Sequence, residues 1–371
     1  MNPLPSSGIV GDHGCARIAG ASRQAQAAHS AAPGPAPQLS GEMVLQRAGQ
    51  ACLDHLMRNE QAACTGDAEG IHQMRVAARR WRATLLALAP FVPPGPRRSA
   101  SNELRWIAEA LSEARNLDVF ASSVLAPARA ALPAASEFER LAMAIDRRRQ
   151  TAHAAARTAI SSARYSASMG ALANWLEGRE WRAGDDAGAL RRPIGELAPI
   201  LLSRCHRQAK KRGESFARQS EEERHRLRIA LKKLRYAAEL LGNLYEPAMT
   251  IGFIRRLKQL QDDLGDLNDV RVARVIVASL ADPNAPNTGI DHAGRRIIAW
   301  HKRRLARTEP KLKRRLRQLW KTEPFWIGPA LSDDLDQRAA RPHVRLRAGR
   351  PVSHYAGDED CAGLAGAEPH A

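Results

Sequence analysis

The sequence contains few aromatic residues, few cysteines and no long apolar run. Phe, Trp and Tyr together make up 5% of the 371 residues. The five cysteines lie far apart and form no CxxC pair, so the sequence lacks the usual spacing of a zinc site and fits a reducing cytoplasm. No run of 18 or more apolar residues and no secretory signal is present, so we expect a cytoplasmic protein without a membrane span.

Basic residues are abundant and concentrated in the middle of the chain. The 57 Lys and Arg outnumber the 39 Asp and Glu, which gives a net charge of +18. Residues 1–40 carry a net charge of +1 and residues 330–371 a net charge of −2, so residues 41–329 carry +19. Such a concentration of positive charge favours a polyanionic partner: a nucleic acid, an anionic membrane or a phosphate polymer.

The composition divides the chain into a long helical region and two tails. Residues 1–40 are rich in Ala, Gly, Pro and Ser, residues 330–371 have no regular period, and both segments are predicted to be disordered. Between them, apolar residues recur at three- and four-residue spacing without strand-like alternation, which predicts an all-α fold. Prolines are expected to mark helix ends near 90–96, at Pro247, and at Pro283 and Pro286.

An internal repeat relates the two halves of the helical region. The segment IHQMRVAARRWRATLLAL (71–88) aligns with RHRLRIALKKLRYAAELL (224–241), and LRWIAEALSEARNLDV (104–119) aligns with LKQLQDDLGDLNDVRV (257–272). Both alignments have an offset of 153 residues, with no insertion between them. Two halves of four helices each are therefore predicted, over residues 41–185 and 190–329.

The first aligned segment of each half places cations on one helix face. At about 100° per residue, a face about 80° wide carries a histidine and three arginines in the first half: His72, Arg75, Arg79 and Arg82. The equivalent face in the second half carries His225, Arg228, Lys232 and Arg235. The opposite face of each helix is apolar, so one side is predicted to be buried and the other to bind anions.

Two other interpretations of this face remain open. A solvated surface is the ordinary role of a charged helix, although such surfaces usually mix acids with bases to relieve repulsion. The histidines suit hydrogen bonding to phosphate better than metal binding, because Arg75 three residues after His72 would repel a cation. No nucleophile–histidine–acid motif accompanies them, so a non-catalytic protein without cofactors or metals is expected.

An acidic segment, QDDLGDLND (261–269), allows two roles. Asp262, Asp263 and Asp266 resemble a DDxxD motif that binds magnesium diphosphate, which leaves open a magnesium-dependent enzyme acting on diphosphates. Pairing with basic residues of neighbouring helices is the favoured role, because only part of the motif repeats in the first half.

These motifs resemble those of the CHAD family, the conserved histidine α-helical domains. The resemblance covers about residues 41–329 and implies two four-helix bundles, related by a pseudo-two-fold axis, around a basic central cleft. It also implies binding of inorganic polyphosphate and association with polyphosphate granules. A nucleic-acid-binding basic protein is the main alternative.

Residues matching the family motif are predicted to contact the polyphosphate: His72, Arg75, Arg79, Arg80, Arg82, His225, Arg228, Lys232, Lys233 and Arg235. Further anion contacts are predicted at Arg105, Lys258, Arg148 and Arg296.

Overall fold

The computed structural model describes residues 36–327, except 134, 184 and 281–288. Seven α-helices make up its first half: α1 (Gly41–Cys64), α2 (Ala68–Ala87), α3 (Pro94–Ala110), α4 (Ser112–Val119), α5 (Ala126–Ala131), α6 (Ser136–Ile160) and α7 (Ala163–Glu177). A π-helical turn, Phe120–Leu125, joins α4 to α5. The described part of the second half has four: α8 (Ile194–Gly213), α9 (Glu221–Leu241), α10 (Pro247–Leu280) and α11 (Ile290–Lys321).

The helices follow the repeat found in the sequence. The first residues of α8, α9 and α10 come 153 positions after those of α1, α2 and α3. The single helix α10 occupies the region that α3, α4 and the π-helical turn divide among themselves in the first half. The prediction of four helices per half therefore fits the described second half, whereas the first half has a divided third helix and the additional helix α7.

Equivalent capping residues begin the two helices that carry the basic faces. The side chain of Asp67 accepts a hydrogen bond from the backbone N of Glu69 at 2.9 Å and begins α2. Ser220 begins α9 with a capping box, in which its hydroxyl and the Glu223 carboxylate each accept a backbone N–H. Both caps lie five residues before the motif histidine, so the local sequence fixes each histidine one turn inside its helix.

Apolar faces pack the helices together in both halves. Helix α1 packs on α2, α8 on α9, and α10 on α11. In the first half, the ring of Trp175 packs edge-to-face on Trp81 and at a tilt on Trp181, with ring centroids 6.4 and 4.8 Å away. In the second half, Trp326 lies 5.3 Å from Phe253, so each half has its own aromatic cluster.

Contacts between the halves bring the two basic helices together. Helix α2 packs directly against α9, and α6 packs against α11. Glu137 of α6 accepts a hydrogen bond from Nη1 of Arg296 at 2.7 Å and pairs with Nδ1 of His292 at 2.8 Å. Nε2 of His301 donates to the carbonyl oxygen of Val124 at 2.8 Å. The region from α1 to Trp326 is one compact unit.

The all-α prediction is confirmed, since the described residues form helices and no strand. The predicted helix ends near 90–96 and at Pro247 also agree, because α3 begins at Pro94 and α10 at Pro247. The two prolines expected to separate α10 from α11 lie outside the described residues, as do almost all residues of the two tails. The division into two bundles around a central cleft stays a prediction.

Two glycines in the α10–α11 pair give opposite predictions for stability. A Cβ atom at Gly294 would overlap Cγ1 of Val277, so Gly294→Ala should lower the free energy of unfolding by about 1–3 kcal/mol. A Cβ atom at Gly265 meets no atom within 4 Å, so Gly265→Ala should raise it by about 0.5–1 kcal/mol. Denaturant unfolding of both variants measures the difference, and equal effects would contradict this packing of α11 on α10.

Candidate anion-binding site

Helices α2 and α9 bury the apolar sides that the sequence predicted. In α2 the buried side consists of Met74, Ala77, Ala78, Trp81, Leu85 and Leu88, each with 0% of its surface exposed. In α9 the equivalent buried residues are Leu227, Ala230, Leu231, Leu234, Ala238 and Leu241. In each helix the motif cations therefore lie on the side away from these apolar residues. Arg75 is the exception among them, because it is buried.

Arg75 is buried, with 4% of its surface exposed. Its Nη1 donates to the carbonyl oxygen of Ala108 and to Oγ of Ser112, the latter at 2.6 Å. Helix α3 ends between these two residues, and a helix end leaves carbonyl groups without intrahelical donors. Burial and the charges of Arg79 and Arg115 hold the pKa of Arg75 well below its usual value. Arg75 thus joins α2 to the α3–α4 junction, a packing role that the face pattern did not predict.

The second motif holds its cations with neighbouring polar groups. Nδ1 of His225 lies 3.0 Å from Oδ1 of Asn268 on α10. Arg235 donates through Nε to Oε1 of Gln261 and through Nη1 to Oε1 of Glu239, both at 2.8 Å. Nζ of Lys258 lies 3.7 Å from the same Glu239 carboxylate. The structure therefore places Arg235 and the predicted secondary contact Lys258 around one acid.

The other motif cations are partly exposed: Arg79, Arg80, Arg82, Arg228, Lys232 and Lys233. Arg80 lies close enough to Cys52 of α1 for its charge to affect that thiol, and Lys233 does the same for Cys205 of α8. Both pairs are related by the 153-residue offset, so the two motifs have the same orientation toward their neighbouring helices.

The two motifs converge on Arg115 of α4 and Asp269 of α10. The charge of Arg115 acts on His72 in the first half and on Asp269 in the second. Arg228 and Lys232 also act on Asp269. Because α2 and α9 pack together, these charges share one region of the molecule, and Asp269 is a carboxylate placed among cations from both halves.

A cavity of about 240 Å³ opens beside the second motif, between α9, α10 and α11. His225 and five cations line it: Arg224, Arg228, Arg271, Arg274 and Lys302. Apolar residues form the remaining wall: Leu264, Leu267, Val270, Leu305 and Ala306. The rim acids are paired, Glu309 with Arg224 at 3.1 Å and Glu221 with Arg274.

Arg115, Arg224, Arg271 and Arg274 are cations that the sequence reasoning missed. The sequence could have indicated Arg271, because the alignment pairs this arginine with Asp118. A reversal of charge at equivalent positions indicates that the two halves differ there. Arg274 follows Arg271 by three residues, which places both on one side of α10.

Two of the predicted secondary contacts join the halves instead of forming an open surface. Nε of Arg148 donates to Oε1 of Glu113 at 2.8 Å, and its Nη1 donates to Oγ of Ser279 on α10. Arg296 pairs with Glu137, as described above. Arg105, on α3, is partly buried.

The acidic segment takes part in helix pairing. Both carboxylate oxygens of Asp263 accept from Nη1 of Arg315 on α11, at 2.7 and 2.5 Å. This ion pair confirms the structural interpretation for Asp263. Within the described ranges, no group of three or more His, Cys, Asp or Glu residues is arranged to hold a metal ion.

Burial and nearby arginines lower the pKa values of both motif histidines. For His72 the main cause is burial, followed by the charge of Arg115. For His225 it is again burial, followed by the charges of Arg271 and Arg228. Both imidazoles are therefore neutral at pH 7. In the neutral form of His225 the single proton lies on Nδ1, facing Asn268, so Nε2 becomes a donor only when the ring is charged.

This all-α arrangement, with two repeated basic helices packed together, agrees with the comparison with known families. The family model for the CHAD domain matches residues 47–278, more than half of the chain. The protein therefore belongs to the CHAD domain family. Helix α11 lies beyond the matched residues.

Solved structures show the same fold. The crystal structure of the CHAD domain from the plant Ricinus communis matches with 25% identity and a TM-score of 0.69, over 80% of this chain and 98% of that one. PptA from Streptomyces chartreusis matches with 16% identity and a TM-score of 0.57, over 76% of this chain and 100% of that one. No curated protein matches the sequence. Among the described helices, none is both long and apolar enough to cross a bilayer.

The lowered histidine pKa values predict pH-dependent anion binding. A bound polyanion favours the charged imidazole and raises its pKa, so binding takes up protons and tightens as the pH falls from about 8 to 5. The gain is at most about tenfold per pH unit for each proton taken up. Affinity for long-chain polyphosphate, measured across this range, should lose most of its pH dependence when His72→Gln and His225→Gln are combined. An unchanged pH profile in the double variant would contradict the role of the histidines.

Proposed function

We propose that the protein binds inorganic polyphosphate, without catalysis, through the basic faces of α2 and α9. The observation that carries the proposal is the convergence of the two motifs, which places Arg115 and Asp269 among cations from both halves. Membership of the CHAD family supports it as well, because the resemblance implies polyphosphate binding.

The chemistry of the chain suits this surface. Polyphosphate is flexible, carries about one charge per phosphate and has no bases to recognise. A protein that binds it needs closely spaced Arg and Lys side chains, which form strong charge-assisted hydrogen bonds with phosphate oxygens. Counterion release then supplies much of the affinity and makes it strongly dependent on salt.

Nucleic acid is a less suitable partner because the tryptophan rings near the basic region are either buried or in contact with arginine side chains. Binding of single strands usually relies on exposed aromatic rings that stack on bases. Trp81 is fully buried, and the guanidinium of Arg164 lies 4.9 Å from the ring centroid of Trp106. The guanidinium of Arg304 lies 5.7 Å from the ring centroid of Trp300.

Catalysis on diphosphates with magnesium is disfavoured by the ion pair of Asp263. A carboxylate with both oxygens bound to Arg315 must give up that pair before it can bind a metal ion. Association with polyphosphate granules in the cytoplasm follows as part of the proposal, since a granule presents the polymer at high density.

Charge reversal at two equivalent positions tests the proposal. Arg79→Glu combined with Lys232→Glu should weaken binding of long-chain polyphosphate by roughly a hundredfold and lower the slope of log affinity against log salt by about two. Isothermal titration at several salt concentrations measures both quantities.

The control is Arg255→Glu combined with Arg256→Glu, which changes the net charge equally at two exposed positions of α10. This variant should keep its affinity within a few-fold. Equal losses in the two variants, with helicity intact by circular dichroism, would show that net charge and not the α2–α9 region governs binding.

A further inference from the structure

The cavity beside His225 has one wall of basic residues, which suits an anionic ligand, and one wall of apolar residues. Its cations come from three helices: Arg224 and Arg228 from α9, Arg271 and Arg274 from α10, and Lys302 from α11. Its apolar residues come from α10 and α11. A bare phosphate chain would leave the apolar wall without a matching group, whereas a ligand with a phosphate and an apolar part would contact both walls.

Several nitrogen atoms at this cavity are buried without a hydrogen-bond partner. Nε of Arg271, Nε of Arg274 and Nε2 of His225 find no hydrogen-bond partner among the described residues. Arg271 also forms no ion pair with any residue in the described ranges. Buried polar groups are normally satisfied, and an anionic ligand in this cavity would offer acceptors to the two arginine nitrogens, and to Nε2 of His225 once its ring is charged.

The repeat does not build this cavity twice. Arg224 corresponds to Ile71, which is fully buried, and Arg274 corresponds to Ala121. Arg271 corresponds to Asp118, which accepts from Nε of Arg149 at 2.7 Å and lies 3.0 Å from Nε2 of His153. In the first half, two apolar side chains and an acid paired with Arg149 replace three of the cavity arginines. The cavity is therefore a feature of the second half and not a consequence of the shared motif.

We propose that this cavity binds a small organic phosphate monoester. Its phosphate would contact Arg271, Arg274 and His225, and its apolar group would pack against Leu267 and Leu305. The volume of about 240 Å³ lies below the roughly 300–1,000 Å³ of pockets for drug-sized ligands, so the apolar group is the size of one ring or a short chain. The site goes beyond polyphosphate binding but shares His225 and Arg228 with it, so the two ligands compete.

Calorimetric titration of the full chain with phenyl phosphate and with inorganic phosphate tests the proposal. Phenyl phosphate should bind about tenfold more tightly, since burial of roughly 60 Å² of apolar surface is enough for that factor. Equal affinities for the two ligands would overturn the proposal.

Two variants locate the binding. Ala306→Phe places a ring at the exposed edge of the cavity and should remove the preference for phenyl phosphate. Ala299→Phe, at an exposed position on the same side of α11 that does not line the cavity, should keep the preference. Arg271→Gln should weaken phenyl phosphate binding about tenfold or more, and Arg255→Gln, an exposed arginine of α10, should not. Unchanged binding in both Ala306→Phe and Arg271→Gln would place the site elsewhere and overturn the proposal.

Titration of the same variants with long-chain polyphosphate separates the two proposals. Ala306→Phe should retain polyphosphate affinity, because the faces of α2 and α9 remain intact. Absence of polyphosphate binding in the unaltered protein would contradict the proposed function, whereas the preference for phenyl phosphate would still stand or fall by its own titration.

Discussion

Repulsion between closely spaced cations is the physical constraint on this molecule. Two basic helices that pack together place like charges near one another, and partial burial strengthens the repulsion because water screens it less. The fold offsets this repulsion with individual acceptors. Asp269 lies among Arg115, Arg228 and Lys232. Glu239 forms ion pairs with both Arg235 and Lys258. Under the proposed function, a bound polyanion would supply the remaining negative charge, so the same constraint that opposes folding would favour binding.

The two copies of the motif meet this constraint in different ways. Because the third helix of the first half ends at Ala110, the carbonyl oxygen of Ala108 can accept from Arg75. In the second half, α10 continues through the equivalent region and Arg228 instead lines a cavity. One interruption in a helix thus accounts for an arginine that joins helices in one half and an arginine that lines a cavity in the other.

Helical periodicity was enough to predict the buried faces of α2 and α9, because burial of one side follows from local spacing. Asp67 and Ser220 show why the repeat is visible in sequence: equivalent caps start equivalent helices. The burial of Arg75 depends on a distant helix end, and the site at Arg271 depends on how α11 packs on α10. Neither contact is encoded within one helix, so neither could be predicted from a pattern on that helix.

Competition between polyanions tests the central claim most directly. A labelled long-chain polyphosphate bound to the full chain is displaced by unlabelled polyphosphate, by single-stranded DNA or by duplex DNA, each added at equal total charge and constant salt. The account predicts that unlabelled polyphosphate displaces the label at a much lower concentration than either DNA, because the surface offers dense cations without stacking rings. Displacement by DNA at an equal or lower concentration would contradict it.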